Sequence, residues 1–449
     1  MRQRRWAAVA ALWGVVLSSA APLAGAAVIT VGPSGAHASL QSAVAAALGM
    51  PGADELRVQA GTLIGTTLIA GDLSGNDLSI SGGWDASFTS QGAATVLDAS
   101  SSGRVFSAQL SGGSLLLTRL QLRGGSSVAQ VATMMVTLNG TASAILGQLS
   151  LRDSSSSATD GGCVQFNAND DSFLSFYDSQ IQNCTNTHPS VAFGVGLKIL
   201  SQQRAQVILD SLLLTSLQAQ ALNQTEGTAV NLITQGQGRI SARQVEVHSA
   251  SSAATSVFGT ALAASAGGSS LISLTRLNLH DNLAPAAPAG SSQLAISVSD
   301  QATVSVSSSL LHSGPQSGIT VTGSSSLALA DLSNLTVVNH ASRALQIFGT
   351  PGVAVHNSIF EDNGLPSSLA AVSASQNLGS DLGLASPSFR GVNDYRLAPE
   401  SAGIDSGTML IPSGLAVEDL DGHDRLQGAN VDIDAYELTP DLLLRDGFE

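Results

Sequence analysis

The sequence predicts an all-β fold, a single-stranded right-handed parallel β-helix, with a short capping helix at its N-terminal end and a less regular C-terminal cap. Three observations predict it. Glycine opens a similar segment at Gly161, Gly194, Gly227 and Gly259, in steps of 33, 33 and 32 residues. Inside each segment apolar residues recur at every second place, as Val164/Phe166, Leu197/Ile199, Val230/Leu232 and Leu262/Ala264, the mark of a strand with one buried face. A second column, Ile181, Leu213, Val245 and Leu277, keeps a step of 32. Two strand columns with one period make each repeat a turn of a coil, whose apolar face is buried only by its neighbours. A sandwich has strands every 8–12 residues but no reason to return equivalent residues at 32. Helical repeats would show a 3.6-residue period, which these Ser/Thr/Gly-rich segments lack.

The elements follow in chain order. Residues 1–26 read as a signal peptide: Arg2, Arg4 and Arg5 precede the apolar run Trp6 to Leu17, and Ala24-Gly25-Ala26 offers a small-x-small cleavage site. No later stretch is long and apolar enough to span a bilayer. Residues 27–110 form the N-terminal cap and first turns. Val28-Ile29-Thr30-Val31 is a strand, Gly32-Pro33-Ser34-Gly35 a turn, and Ser39 caps an amphipathic helix carrying Leu40, Val44 and Leu48. Residues 111–385 are the coil. Leu310, Leu335 and Ile359 are 25 and 24 apart, so the later turns shorten. Residues 386–438 form the C-terminal cap, where Pro387, Pro399 and Pro412 break the pattern and aspartates cluster. Residues 439–449 are a tail.

Composition narrows the partners. The chain carries a net charge of −15, and −18 without the three Arg of residues 1–26; its one Lys is Lys198. Such an acidic surface has little to offer a phosphate backbone, so nucleic acid is not an expected partner. Cys163 and Cys184 are the only cysteines; in an oxidising compartment they can pair, or they are two buried thiols.

The candidate chemistry is sparse. Asp178 and Asp210 are 32 apart, so they are expected to stack on successive turns, where two carboxylates would share a proton, a cation or a sugar. Arg243 is the nearby candidate cation. His248, His280 and His312 are also 32 apart and would form a column, two members of which could hold Zn²⁺. Ser309, where an apolar residue is expected, suggests that the third turn slips by one residue. Asp419, Asp421 and Asp424 place oxygen donors at the spacing of a Ca²⁺ loop, without the glycine and glutamate of an EF-hand. No other cofactor is indicated.

Several segments resemble a family. Leu40-Gln41-Ser42-Ala43-Val44, Gln59-Ala60-Gly61-Thr62-Leu63 and Ile80-Ser81-Gly82-Gly83-Trp84-Asp85 resemble the opening turns of exported bacterial right-handed parallel β-helix proteins. Asn393 to Leu397, Gly403 to Gly407, Asp421 to Arg425 and Val431 to Glu437 resemble their choice-of-anchor Q type C-terminal domain, with Asp434 standing where that pattern has Gly. The resemblance implies export and surface association, and no defined reaction. The expectation is therefore a secreted, periplasmic or cell-surface protein without catalysis, used for adhesion or glycan binding. The alternative is a polysaccharide lyase or glycoside hydrolase acting on an extended glycan along the side of the coil.

Overall fold

The computed structural model describes residues 26–286, 291–314, 316–367, 369 and 372–438. The signal peptide and the tail expected at the two ends thus lie outside the described residues, apart from Ala26.

The chain winds into a right-handed parallel β-helix. One wall is a ten-stranded parallel sheet running from Thr67–Asp72 to Leu345–Gly349. The other is a bent sheet whose long strands, such as Phe173–Asn186 and Gln206–Ala219, turn a corner in mid-course. The first column stacks as expected: Val164 pairs with Leu197, Leu197 with Val230 and Val230 with Leu262. All four are buried in one continuous core that also takes in Phe166 and Phe176, edge to face at 5.4 Å. Each inward residue rests on its equivalents one rung away, about 4.8 Å above and below.

The second column needs one correction. Ile181 pairs with Leu214, not Leu213, and the inward line continues through Val247 and Leu279. Three consecutive leucines, 212 to 214, hide the phase, and a shift of one residue sends every side chain to the other face. Leu213 consequently points outward. The histidine turn does not slip: His280 pairs with both His248 and His312. Ser309 takes its inward place because its Oγ accepts from the Leu277 amide at 3.0 Å and donates to the Ser307 carbonyl at 2.7 Å. Ser179 and Ser358 use the same pair of bonds in other turns.

The later turns do shorten, with steps of 26 and 23 residues from Leu310 to Thr336 to Ile359. Leu310 and Ile359 face outward beneath the C-terminal cap, whereas Leu335 faces the coil interior. Strand Leu329–Val338 is buried on both faces, its polar Asp331, Ser333, Asn334 and Thr336 included, so burial no longer alternates along it.

At the N-terminal end the helix Leu40–Leu48 plugs the coil. Ser39 caps it by accepting from the Ser42 amide, and Leu40, Ala43, Val44 and Ala47 face inward. Cys163 and Cys184 are joined as a disulfide inside one turn, with Cα atoms 5.9 Å apart and both side chains fully buried.

Candidate functional site

The corner of the bent sheet organises the outer surface. At this corner one residue from each of ten turns adopts the left-handed conformation: Arg119, Gln148, Asp178, Ser211 and Gln244, then Arg276, Ser308, Asn334, Asn357 and Gln376, with φ between 47° and 58°. Their neighbours pair across the turns, so the ten form one column.

The second half of this column holds the C-terminal cap. Arg276 Nε donates to the Leu420 carbonyl at 3.3 Å, Ser308 Oγ to Glu418 at 2.9 Å and Asn334 Nδ2 to Asp432 at 3.0 Å. Asn357 Nδ2 donates to Thr408 at 2.8 Å and Gln376 Nε2 to Ser406 at 2.9 Å. Five successive corner residues thus each satisfy one main-chain carbonyl of the cap. Arg425, only 1% exposed, closes it: its guanidinium donates to the Asp434, Ala435 and Tyr436 carbonyls, to Glu437 and to Ser308 Oγ.

The first half of the column is open. There the outer face of the bent sheet forms the floor of a groove of about 960 Å³ that runs along the coil across several turns. The cap supplies its end wall through Arg396, Leu420, Asp421 and Tyr436. The floor carries Asp178, Glu246 and Arg152, together with Leu213, the leucine whose outward orientation the sequence hid. The volume falls at the upper end of the range of small-molecule sites.

Glu246 is the best-defined acid in the groove. His280 Nε2 lies 3.4 Å from its Oε1, and His280 Nδ1 lies 2.8 Å from Asp281 Oδ2. This hydrogen bond from His280 holds the Glu246 carboxyl below the usual glutamate range, and the same bond, with Asp281, raises the imidazole. Glu246 is therefore held as a carboxylate, as a base or nucleophile must be. His280 is stacked between His248 and His312, with ring centroids 5.2 and 4.9 Å apart, and Tyr395 of the cap extends the stack at 5.2 Å. Burial, helped by the neighbouring His280, pushes His312 down to about 4. The histidine column is real, but its rings lie face to face instead of aiming nitrogens at a common point.

The other candidates are placed as follows. Asp178 lies on the groove floor. It does not stack with Asp210, because Tyr177 is the residue paired with Asp210, and Asp178 aligns with Ser211. Turn to turn the step here is 33, so a spacing of 32 leaves Asp178 at the corner and Asp210 one residue before it. Asp210 instead receives Arg243 Nη2 at 2.7 Å, and Arg243 Nη1 lies 3.6 Å from Glu418; this pair sits beside the groove. Asp419, Asp421 and Asp424 do not converge. Asp419 is fully buried and accepts from the His423 and Glu437 amides. Asp421 is bound to Arg396 through two bonds of 2.9 and 3.0 Å, and Asp424 is exposed. Among the described residues no three His, Cys, Asp or Glu side chains gather as a metal site requires, and no helix is long and apolar enough to cross a membrane.

Sequence reasoning missed Glu246, His280 and Asp281 as a unit. The signal was the histidine column itself: once His248, His280 and His312 are taken as outward neighbours, Glu246 and Asp281 fall beside them.

No known family and no curated protein matches the chain by sequence. Among solved structures it is similar to the crystal structure of pectate lyase Pel9A, with 10% identity over 93% of this chain and 97% of that one, at a TM-score of 0.44. It is also similar to the crystal structure of an alginate lyase from Paenibacillus sp. str. FPU-7, with 14% identity over 72% of this chain and 99% of that one, at a TM-score of 0.38. What the likeness shows is the shared fold. The expectation of a non-catalytic adhesin is corrected: two solved structures with this fold are of a pectate lyase and an alginate lyase. The side wall carries a groove whose floor includes Asp178 and Glu246.

Proposed function

We propose that the protein is an enzyme that cleaves an extended glycan laid along the groove, as a lyase or a hydrolase. One observation carries this reading: Glu246 faces the groove as a carboxylate held by the His280–Asp281 pair, with Asp178 on the same floor. A groove running along the coil suits a polymer, and catalytic side chains on strands of a rigid sheet are well positioned. The test is a panel of polysaccharides assayed for new reducing ends and for unsaturated ends. Glu246→Gln is expected to lower turnover by about 10²-fold or more, the usual contribution of a positioned acid or base. Full activity in Glu246→Gln and in Asp178→Asn would overturn the assignment.

The same reading includes export to the periplasm, cell surface or medium. It is supported by the composition of residues 1–26 and by the resemblance of residues 386–438 to a choice-of-anchor Q domain. Fractionation of the producing cell with N-terminal sequencing of the mature chain tests it; an intact Met1 in the cytoplasmic fraction would refute it.

A further inference from the structure

The charges and amides of the groove bear on which glycan it takes. Each arginine lining it is already committed to a carboxylate of this chain. Arg152 pairs with Asp153 at 3.3 Å, Arg276 with Glu418 at 2.6 Å, and Arg396 with Asp421 at 2.9 Å and Asp394 at 3.0 Å. Asp421 holds the Arg396 guanidinium well above its usual range. Arg276 is 7% exposed and is further fixed by the Leu420 carbonyl. Beside the groove Arg243 is bound to Asp210, and Arg119, just beyond its far end, is turned to the Gly92 carbonyl. A uronate carboxylate entering here would have to displace one of these acids, in a chain whose net charge is already −15.

Apart from Asp178 and Glu246, the remaining polar groups of the floor are neutral. Gln121, Gln148, Gln180, Gln182, Gln244 and Asn278 line it, from five of six successive turns, the turn of Ser211 supplying none; Gln121 accepts from Arg152, Gln180 donates to Ser150 and Gln244 accepts from Ser211. A side-chain amide presents both a donor and an acceptor, which matches the paired hydroxyls of a pyranose ring and not a carboxylate. Asn278 adds an independent sign of a missing partner: its Oδ1 is buried and has no hydrogen-bond partner. A buried acceptor without a donor is costly unless something supplies one, and a glycan hydroxyl is such a donor. Tyr436, which packs against Arg396 with the guanidinium 4.9 Å from its ring centroid, stands in the end wall as a flat apolar surface.

We infer that the groove takes a neutral, hydroxyl-rich glycan and discriminates against polyuronates; with no carboxyl group at C5 to acidify the neighbouring proton, such a glycan is open to hydrolysis and not to elimination, so of the two cleavages proposed above this selects the hydrolase. This rests on the groove being the glycan site, as proposed above. It sets the chain apart from the pectate and alginate lyases to which it is similar, since the substrates in those names are polyuronates.

The experiment is calorimetric titration of the full mature chain with cellohexaose, xylohexaose and mannohexaose, and with hexagalacturonate and an alginate hexamer, at low and high salt. At least one neutral hexaose is expected to bind at least ~10-fold more tightly than either acidic one at low salt, with an affinity that salt barely changes. Asn278→Ala is expected to weaken that binding about tenfold, the loss of one hydrogen bond of roughly 1.4 kcal/mol, and Gln180→Ala to weaken it as well. Tighter binding of hexagalacturonate or of the alginate hexamer would overturn the inference, as would an absence of binding across the whole panel. Neutral binding indifferent to both substitutions would also overturn it. The two readings fail separately. Cleavage of a polyuronate would leave the enzyme and refute the substrate class, whereas a neutral hexaose bound in an Asn278-dependent way but never cleaved would do the reverse.

Discussion

Arg425→Met tests how the groove keeps its end wall. Arg425 is 1% exposed, and so is its partner Glu437, 3.1 Å away. The same guanidinium satisfies the carbonyls of Asp434, Ala435 and Tyr436 at 3.1, 2.8 and 2.8 Å, and reaches the coil through Ser308 at 2.9 Å. Methionine keeps much of the aliphatic stem but removes all five bonds. Breaking a buried ion pair by deleting one partner costs about 3–5 kcal/mol. At roughly 1.4 kcal/mol per decade this raises the population of cap-open molecules by two to three and a half decades. Four of these five bonds lie within the cap and the fifth goes to the corner residue Ser308, so the coil's β signature in circular dichroism should persist.

The assay is limited proteolysis under conditions where reclosing is fast, so that the cleavage rate follows the open population. Cuts mapped by mass spectrometry should concentrate within residues 386–438 and appear at least about 100-fold faster than in the wild type. Since Tyr436, Arg396 and Asp421 wall the groove, ligand affinity should fall in the same variant. If cleavage in 386–438 stays within about threefold of the wild type, Arg425 does not hold the cap, and the account of the end wall fails.

Other consequences are simpler to read. Asp434 is buried within the cap, and its burial pushes its pKa from 3.8 up to about 7. A raised carboxylate stabilises the fold fully below its unfolded value and loses that contribution as pH climbs to the folded one. The stability of Asp434→Asn relative to wild type should therefore improve from pH 4 to pH 7 and level off above, in denaturant titrations at each pH. His312 and His340, both lowered to about 4 by burial, act in the opposite sense as pH falls from 6.5, so the difference between the two proteins is the quantity to follow. The register correction predicts that Leu213→Ala costs under about 1 kcal/mol and Leu214→Ala about 2–5 kcal/mol, by the difference between an outer-face and a core leucine; equal costs would restore the earlier register. Replacing Cys163 and Cys184 together by alanine should lower stability by about 3 kcal/mol, the loop-closure value for a span of some 20 residues, and a change under about 1 kcal/mol would show that the disulfide adds little.

The coil was legible because its core obeys one rule in every turn. Val164, Leu197, Val230 and Leu262 repeat the same chemistry at a step the eye can find. The site was much less so. Its members are contributed one or two per turn, and their alignment depends on a single residue of phase: counting 32 where the chain takes 33 separated Asp178 from Ser211 and moved Leu213 indoors. The three leucines 212 to 214 cannot supply that phase, because each of them satisfies either face. Ser309 misled in the other direction, since a hydroxyl that bonds its own strand and the preceding turn is as acceptable inside as a leucine.

The corner column explains both what the sequence hid and why the groove exists. Arg119, Gln148, Asp178, Ser211, Gln244, Arg276, Ser308, Asn334, Asn357 and Gln376 share no side-chain chemistry; they share a backbone conformation. For non-glycine residues that conformation costs of order 1–3 kcal/mol each and persists only where the surroundings over-determine it. Here the parallel ladders on either side of each corner do so. A strand that ran straight through these positions would present a flat outer face, and Asp178 and Glu246 would stand on an open plain. The bend sets the two halves of the strand at an angle, and the cap, gripped by the last five corner residues, blocks one end of the resulting trough. One repeated backbone device thus does two things along a single column: it binds main-chain carbonyls of the protein's own cap where the trough is filled, and it presents amides, a hydroxyl and a carboxylate where the trough is open. It follows that the cap and any ligand divide the column between them, and that loosening the cap alters the groove's end while leaving its floor intact.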